Sequence, residues 1–123
     1  MASATLKRGR AKSLLSREGL ELLATRFRIL GDATRLALLQ AMFETERTVQ
    51  ELTVRTGTSQ ANASKHLALL LEQGLVARRR EGLFTYYRIA DSTLEELCRL
   101  VCDSLAERHE MRRAILPGKP HRG

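Results

Sequence analysis

The sequence predicts a mainly α fold, with five main helices and one small β-hairpin between the fourth and the fifth. Three observations carry that prediction. Apolar residues recur at three- and four-residue spacing through most of the chain. The period changes in "LVARRREGLFTYYRIA", a β-branched and aromatic stretch broken by a glycine. Capping residues and glycines fall where helices of ordinary length start and stop.

The elements follow in order. Residues 1–13 are polar and basic (Lys7, Arg8, Arg10, Lys12), with no acidic residue, and read as a flexible arm. A first helix runs from about Leu14 to Leu30, where Leu20, Leu23, Phe27 and Leu30 form the narrow stripe that suits a partner helix. Gly31 ends it. Asp32 caps a second helix through about Phe43, with Leu36, Leu39 and Phe43 inward. "TVQE" is a capping box, Thr48 reaching forward and Glu51 back, and it opens a short third helix. Val49, Leu52 and Val54 supply that helix's apolar contacts, and Gly57 terminates it. Thr58 or Ser59 caps the fourth helix, which runs to about Gln73 with Ala63, Leu67 and Leu70 inward. A hairpin turning at Glu81-Gly82 comes next. Asp91 or Ser92 caps a last helix to about Ile115, and Pro117, Gly118 and Pro120 make residues 117–123 a flexible tail. One domain of residues 14–116 therefore lies between two loose ends.

Charge narrows the function. At 123 residues the chain can bury a real core, and Lys plus Arg exceed Asp plus Glu by 21 to 14. A basic balance favours a polyanionic partner, nucleic acid before membrane, since no strongly apolar surface helix accompanies it. The longest apolar run is too short to span a bilayer, and the first residues lack a signal-peptide stretch, so the expected location is cytoplasmic. An enzyme is disfavoured: there are three histidines, no glycine-rich phosphate loop and no paired carboxylates that stand out.

Helix, helix, short helix, tight turn, helix, hairpin is the order of a winged helix-turn-helix. The glycine-containing "TGTS" suits the steep angle between its two central helices. With Ala63, Leu67 and Leu70 inward, Ala61 and Lys65 point away from the core, Asn62 and Ser64 flank them, and Gln60 projects from the first turn. Gln and Asn can pair with adenine in the major groove, and Ser can take base or phosphate. Thr58 and Ser59 would position the helix end. Arg78, Arg80 and Arg88 can straddle a phosphate backbone or enter the minor groove, while strand alternation turns Arg79 differently. The plainer reading, a capped helix and a solvated charge run, leaves the adjacency of the two unexplained. A winged helix used as a protein-interaction or RNA-binding module stands as the rival.

"LGDATRLALLQAM" followed by "TVQELTVRTGTSQANASKHLALLLEQGLVARRREGLFTYYRIAD" resembles the ArsR/SmtB family of bacterial winged-helix repressors, from about Leu14 to Ile115. The resemblance implies a homodimer through the first and last helices that binds a palindromic double-stranded DNA operator and releases it when an inducer binds. The stripe on the first helix agrees, as does that of Leu94, Leu97, Val101 and Leu105 on the last. Operator and protein then share a two-fold axis. His66 falls on the family's histidine position, near the core side of its helix, which favours a hydrogen-bonded packing role.

Two metal sites that the resemblance brings are missing their ligands. "ELTVRTG" has Thr53 and no cysteine, and Asp91 is followed by Ser92 and Thr93, with Arg112 three residues after His109. What remains is "ELCRLVCDSL", where Cys98 and Cys102 lie one turn apart on a face of the last helix. Two thiolates at that spacing suit a thiophilic ion such as arsenite, antimonite or Hg(II) as inducer. For trivalent arsenic the third thiolate must come from the other subunit or a small thiol. Thiol redox or sulfur-species sensing competes with this, although the Cβ atoms of such a pair sit about 5–6 Å apart and a disulfide wants about 3.8 Å. Simple packing in a dimer seam is the third reading. Arg99, adjacent in sequence, would favour thiolate formation if it packs against either sulfur.

Overall fold

The structure, a computed structural model, describes residues 15–108. The predicted arm, the tail and the last part of the final helix lie outside the described residues. Helix α1 spans Arg17–Leu30. It begins three residues later than expected because Ser16, in an extended conformation, caps it by accepting a bond from the Gly19 amide at 3.0 Å. Helix α2 spans Ala33–Ala41, with Asp32 accepting from the Arg35 amide. Helix α3 spans Val49–Thr56 behind the expected capping box, and α4 spans Gln60–Glu72 behind Ser59. Helix α5 spans Thr93–Ala106. The expected extension to Ile115 is not seen in the described part, which turns at Glu107 and Arg108.

Two inward assignments are corrected. On α2 the fully buried pair is Leu38 and Leu39, whereas Leu36 is exposed. Three leucines fit an inward stripe on so short a helix, and the side on which α3 and α4 pack decides among them. The helix stops at Ala41, so Phe43 lies beyond it and only partly joins the core. On α3, Leu52 is buried but Val54 is 83% exposed. The α4 stripe of Ala63, Leu67 and Leu70 is fully buried as expected. With Leu75 and Leu94 these residues form the core, each leucine contributing about 1.5–3 kcal/mol of hydrophobic stabilisation.

The sheet has three strands, one more than expected, in the order β1-β3-β2. Strands β2 (Val76–Glu81) and β3 (Phe84–Ile89) form the hairpin, and β1 (Arg47–Thr48) pairs antiparallel with β3, setting Thr48 opposite Tyr86. Glu81 pairs with Phe84, so the connecting residues are Gly82 and Leu83, not Glu81 and Gly82. Gly82 has φ +62, a left-handed conformation that two-residue hairpin loops require and that glycine adopts without penalty.

Arg26 ties α1 to the far side of the domain. It donates to Asp91 Oδ2 at 3.1 Å and to the Gln73 carbonyl at 3.4 Å. Asp91 also accepts from the Thr93 amide and hydroxyl through Oδ1, which is how α5 starts; Ser92 makes no side-chain cap. The Thr93 hydroxyl and amide, with Arg26 beyond them, hold the Asp91 carboxyl below its ordinary value of 3.8.

Candidate nucleic-acid interface

Gly57 (φ +78) ends α3 and its amide bonds back to the Thr53 carbonyl at 2.8 Å. With Thr58 and Ser59 it forms the turn that presents the first turn of α4. Burial of Ala63, Leu67 and Leu70 fixes which face of α4 is free: Gln60, Ala61, Ser64 and Lys65 are exposed. Asn62 is half-buried, and its side-chain amide donates to Thr58 Oγ1 at 3.0 Å. Ser59 Oγ accepts from the Asn62 amide at 3.1 Å. Thr58, Ser59 and Asn62 are therefore bonded to one another and brace the end, while Gln60, Ser64 and Lys65 are left open.

The four wing arginines separate by face. Alternation along a strand puts Arg78 and Arg80 on the side of Val76 and Tyr87, which pack inward toward α4. Arg88 pairs with Ala77 and opens to the opposite face, together with Arg79. Arg79 is engaged there: Nε donates to Glu46 at 2.9 Å, the other nitrogens bind Glu46 and Glu81, and the guanidinium lies 4.7 Å from the Tyr86 ring centre. The Arg79 hydrogen bond is the main cause that holds the Glu46 carboxyl below its ordinary range. Arg78 and Arg80 thus share one face of the hairpin and Arg79 and Arg88 the other, and all four are exposed.

Behind that surface sits a connection absent from the sequence reading. Arg35, 13% exposed, donates through Nε to the Ile29 carbonyl at 2.7 Å, and its Nη1 stands 3.1 Å from His66 Nδ1. Because a guanidinium only donates, Nδ1 accepts and the ring carries its proton on Nε2. His66 thus has the packing role expected of it, with Arg35 as its partner. The pairs Arg35–His66 and Arg79–Glu46 bridge 31 and 33 residues, and nothing local in the sequence marks either.

Cys98 and Cys102 are free, half-buried thiols on α5. Burial, and then the neighbouring Cys102, push the Cys98 thiol above its ordinary value of 9.0, so Arg99 does not activate it. No group of three or more metal-binding side chains occurs among the described residues. None of the described helices is long and apolar enough to cross a membrane.

Residues 32–78 match the family described as "Bacterial regulatory protein, arsR family". The chain is 40% identical over 74 residues to a probable mercury resistance operon repressor of Streptomyces lividans, covering 60% of this chain and 59% of that protein. It is 34% identical over 94 residues to the transcriptional repressor SmtB homolog of Synechocystis, covering 76% of this chain and 71% of that one. The chain thus spans about three-fifths of the first relative's length and more of the second's. Among solved structures, the homodimeric winged helix-turn-helix DNA-binding domain of Mb0332 from Mycobacterium bovis superposes with a TM-score of 0.65 at 33% identity, over 89% of this chain and 97% of that one.

Proposed function

Because the chain belongs to the ArsR family of bacterial regulatory proteins, we propose that it is a homodimeric transcriptional repressor that binds a palindromic DNA operator and lets go when a thiophilic ion binds α5. The family is one of regulators, not of enzymes. The observation that carries the DNA-binding reading is the exposed row Gln60, Ser64 and Lys65 at the start of α4, followed in the chain by a hairpin whose Arg78, Arg80 and Arg88 are exposed as well. Gln60, Ser64 and Lys65 read base edges or adjacent phosphates, and Thr58, Ser59 and Asn62 set the angle of the helix end. Arg78, Arg80 and Arg88 take the backbone or minor groove, Arg88 from the opposite face of the hairpin.

The dimer reading rests on what one chain leaves uncovered. Leu20, Leu23 and Phe27 of α1 and Leu100 and Val101 of α5 are all exposed, apolar surface that one subunit alone does not bury. The solved Mb0332 domain is itself homodimeric, which supports the same arrangement here. Cys98 and Cys102 lie on α5 beside this surface, so an ion gripped there would strain the seam that spaces the two reading helices. Two thiolates match the coordination of Hg(II), and the mercury-resistance relative points the same way. Arsenite or antimonite fits once a third thiolate joins. Each ion must displace the Cys98 proton, so capture strengthens as pH rises.

Selection of duplexes from a random-sequence pool tests the repressor reading. A palindromic sequence should be enriched, and wild-type protein should prefer it over competitor DNA. Absence of enrichment, with retention of RNA or a protein partner, would favour the interaction-module alternative. Hg(II) and arsenite should then release wild type but not the Cys98→Ser/Cys102→Ser double variant. If oxidant or polysulfide releases it and the ions do not, the inducer is a redox or sulfur species.

A further inference from the structure

The largest exposures of apolar side chains on the hairpin are both at its apex. Leu83 is 89% exposed and Phe84 is 53% exposed. Single exposed hydrophobics are ordinary, but these two are adjacent and sit where turn chemistry favours Asn, Asp or Gly. Leu83 occupies the second loop position after Gly82 and packs on nothing that would account for it. The surroundings are charged in a particular way. Arg78 and Arg80 lead toward the apex along one face of β2. Glu81, the acid nearest the apex, is bonded to Arg79, which also holds Glu46. The single guanidinium of Arg79 thereby offsets part of the negative charge of both carboxylates, and the apolar apex stands beside Arg78 and Arg80, which have no acidic partner among the described residues.

We propose that Leu83, backed by Phe84, is a wedge that enters the minor groove of the bound duplex, partly unstacks one base step and bends the DNA. This rests on the DNA-binding reading above and adds to it a specificity-determining contact. Arg78 and Arg80 anchor the hairpin on the flanking phosphates, and the apolar side chain leaves water for the stack. Because pyrimidine–purine steps unstack most easily, the site beneath the wing is selected by deformability, without a hydrogen bond to any base. Arg79 is a positioning residue here: it screens Glu46 and Glu81 and stacks on Tyr86, which holds the apex stiff.

The test uses the duplex enriched by the wild-type protein, with 2-aminopurine substituted at successive positions under the wing and dyes on the two ends. Wild type should raise the 2-aminopurine fluorescence at one step per half-site and shorten the end-to-end distance. Leu83→Ala should abolish both signals and weaken binding on the order of tenfold, with its salt dependence and circular dichroism unchanged. Leu83→Met, which keeps an apolar wedge, should restore the fluorescence rise. Should Leu83→Ala match wild type in both signals while Arg80→Ala loses affinity, the wing touches phosphates only and the wedge is refuted. Failure of the DNA-binding reading looks different: no duplex is enriched, and the wedge falls with it.

Discussion

At the tip of α4, side chains separate by what already holds them. Asn62 and Ser59 hold hydrogen bonds within the protein, and among the described residues the Gln60 side chain makes none. Gln60→Ala should therefore weaken operator binding more than binding to random DNA; equal losses would remove its base-reading role. Arg80 has no acidic partner among the described residues, in contrast to Arg79. Arg80→Ala should lower affinity for both DNAs and reduce the salt slope by about one unit, as measured by anisotropy across a salt series. Asp91 makes a pH prediction. Its carboxyl is held below 3.8, so its contribution to stability is full above that value and is lost as pH falls through the lower folded value. Between about pH 5 and pH 2, wild type should lose more stability than Asp91→Asn in urea titrations. Parallel losses would mean that Asp91 is no more ionised in the fold than in the unfolded chain.

Elements were legible where a repeating pattern and a cap agreed. The capping box at Thr48 and the Ala63, Leu67, Leu70 stripe needed no knowledge of the tertiary fold. Strand β1 was not legible, since two residues carry no period, and its existence depends on Tyr86 and Tyr87 arriving from nearly forty residues away. The choice of Leu38 over Leu36 was hidden for a related reason: on a nine-residue helix the packing of α3 and α4 makes it. The hairpin was foreseen but its loop was misplaced by one residue, because Gly82 serves either register on paper. For the reading element, the apolar stripe on α4 told which residues face outward, but the bonds that brace Asn62 and engage Arg79 come from chain neighbours no periodicity reveals. Gly57 tests the turn that aims α4. A Cβ there meets no atom within 4 Å, yet φ +78 strains any L side chain. Gly57→Ala should thus cost about 1 kcal/mol by thermal unfolding, through backbone strain alone. No loss would show that the turn relaxes freely.

For the whole molecule, the decisive matter is pairing. The uncovered leucines and Phe27 of α1 predict that Leu20→Lys, at a position 48% exposed in one chain, keeps the helical circular dichroism while sedimentation shows a monomer. Operator affinity should fall with it, since a lone subunit reads only half of a palindrome. A Leu20→Lys protein that still sediments as a dimer would move the seam elsewhere.

The guanidinium of Arg35 gives the pairing a mechanical meaning. It grips the last turn of α1 with one nitrogen and the imidazole of α4 with another. A planar cation has no soft torsion between its nitrogens, so in the proposed dimer, paired through α1, the end of that helix and the probe helix share one rigid fork. Lysine, with a single nitrogen, would give up one of the two grips and loosen the end of α1 from α4.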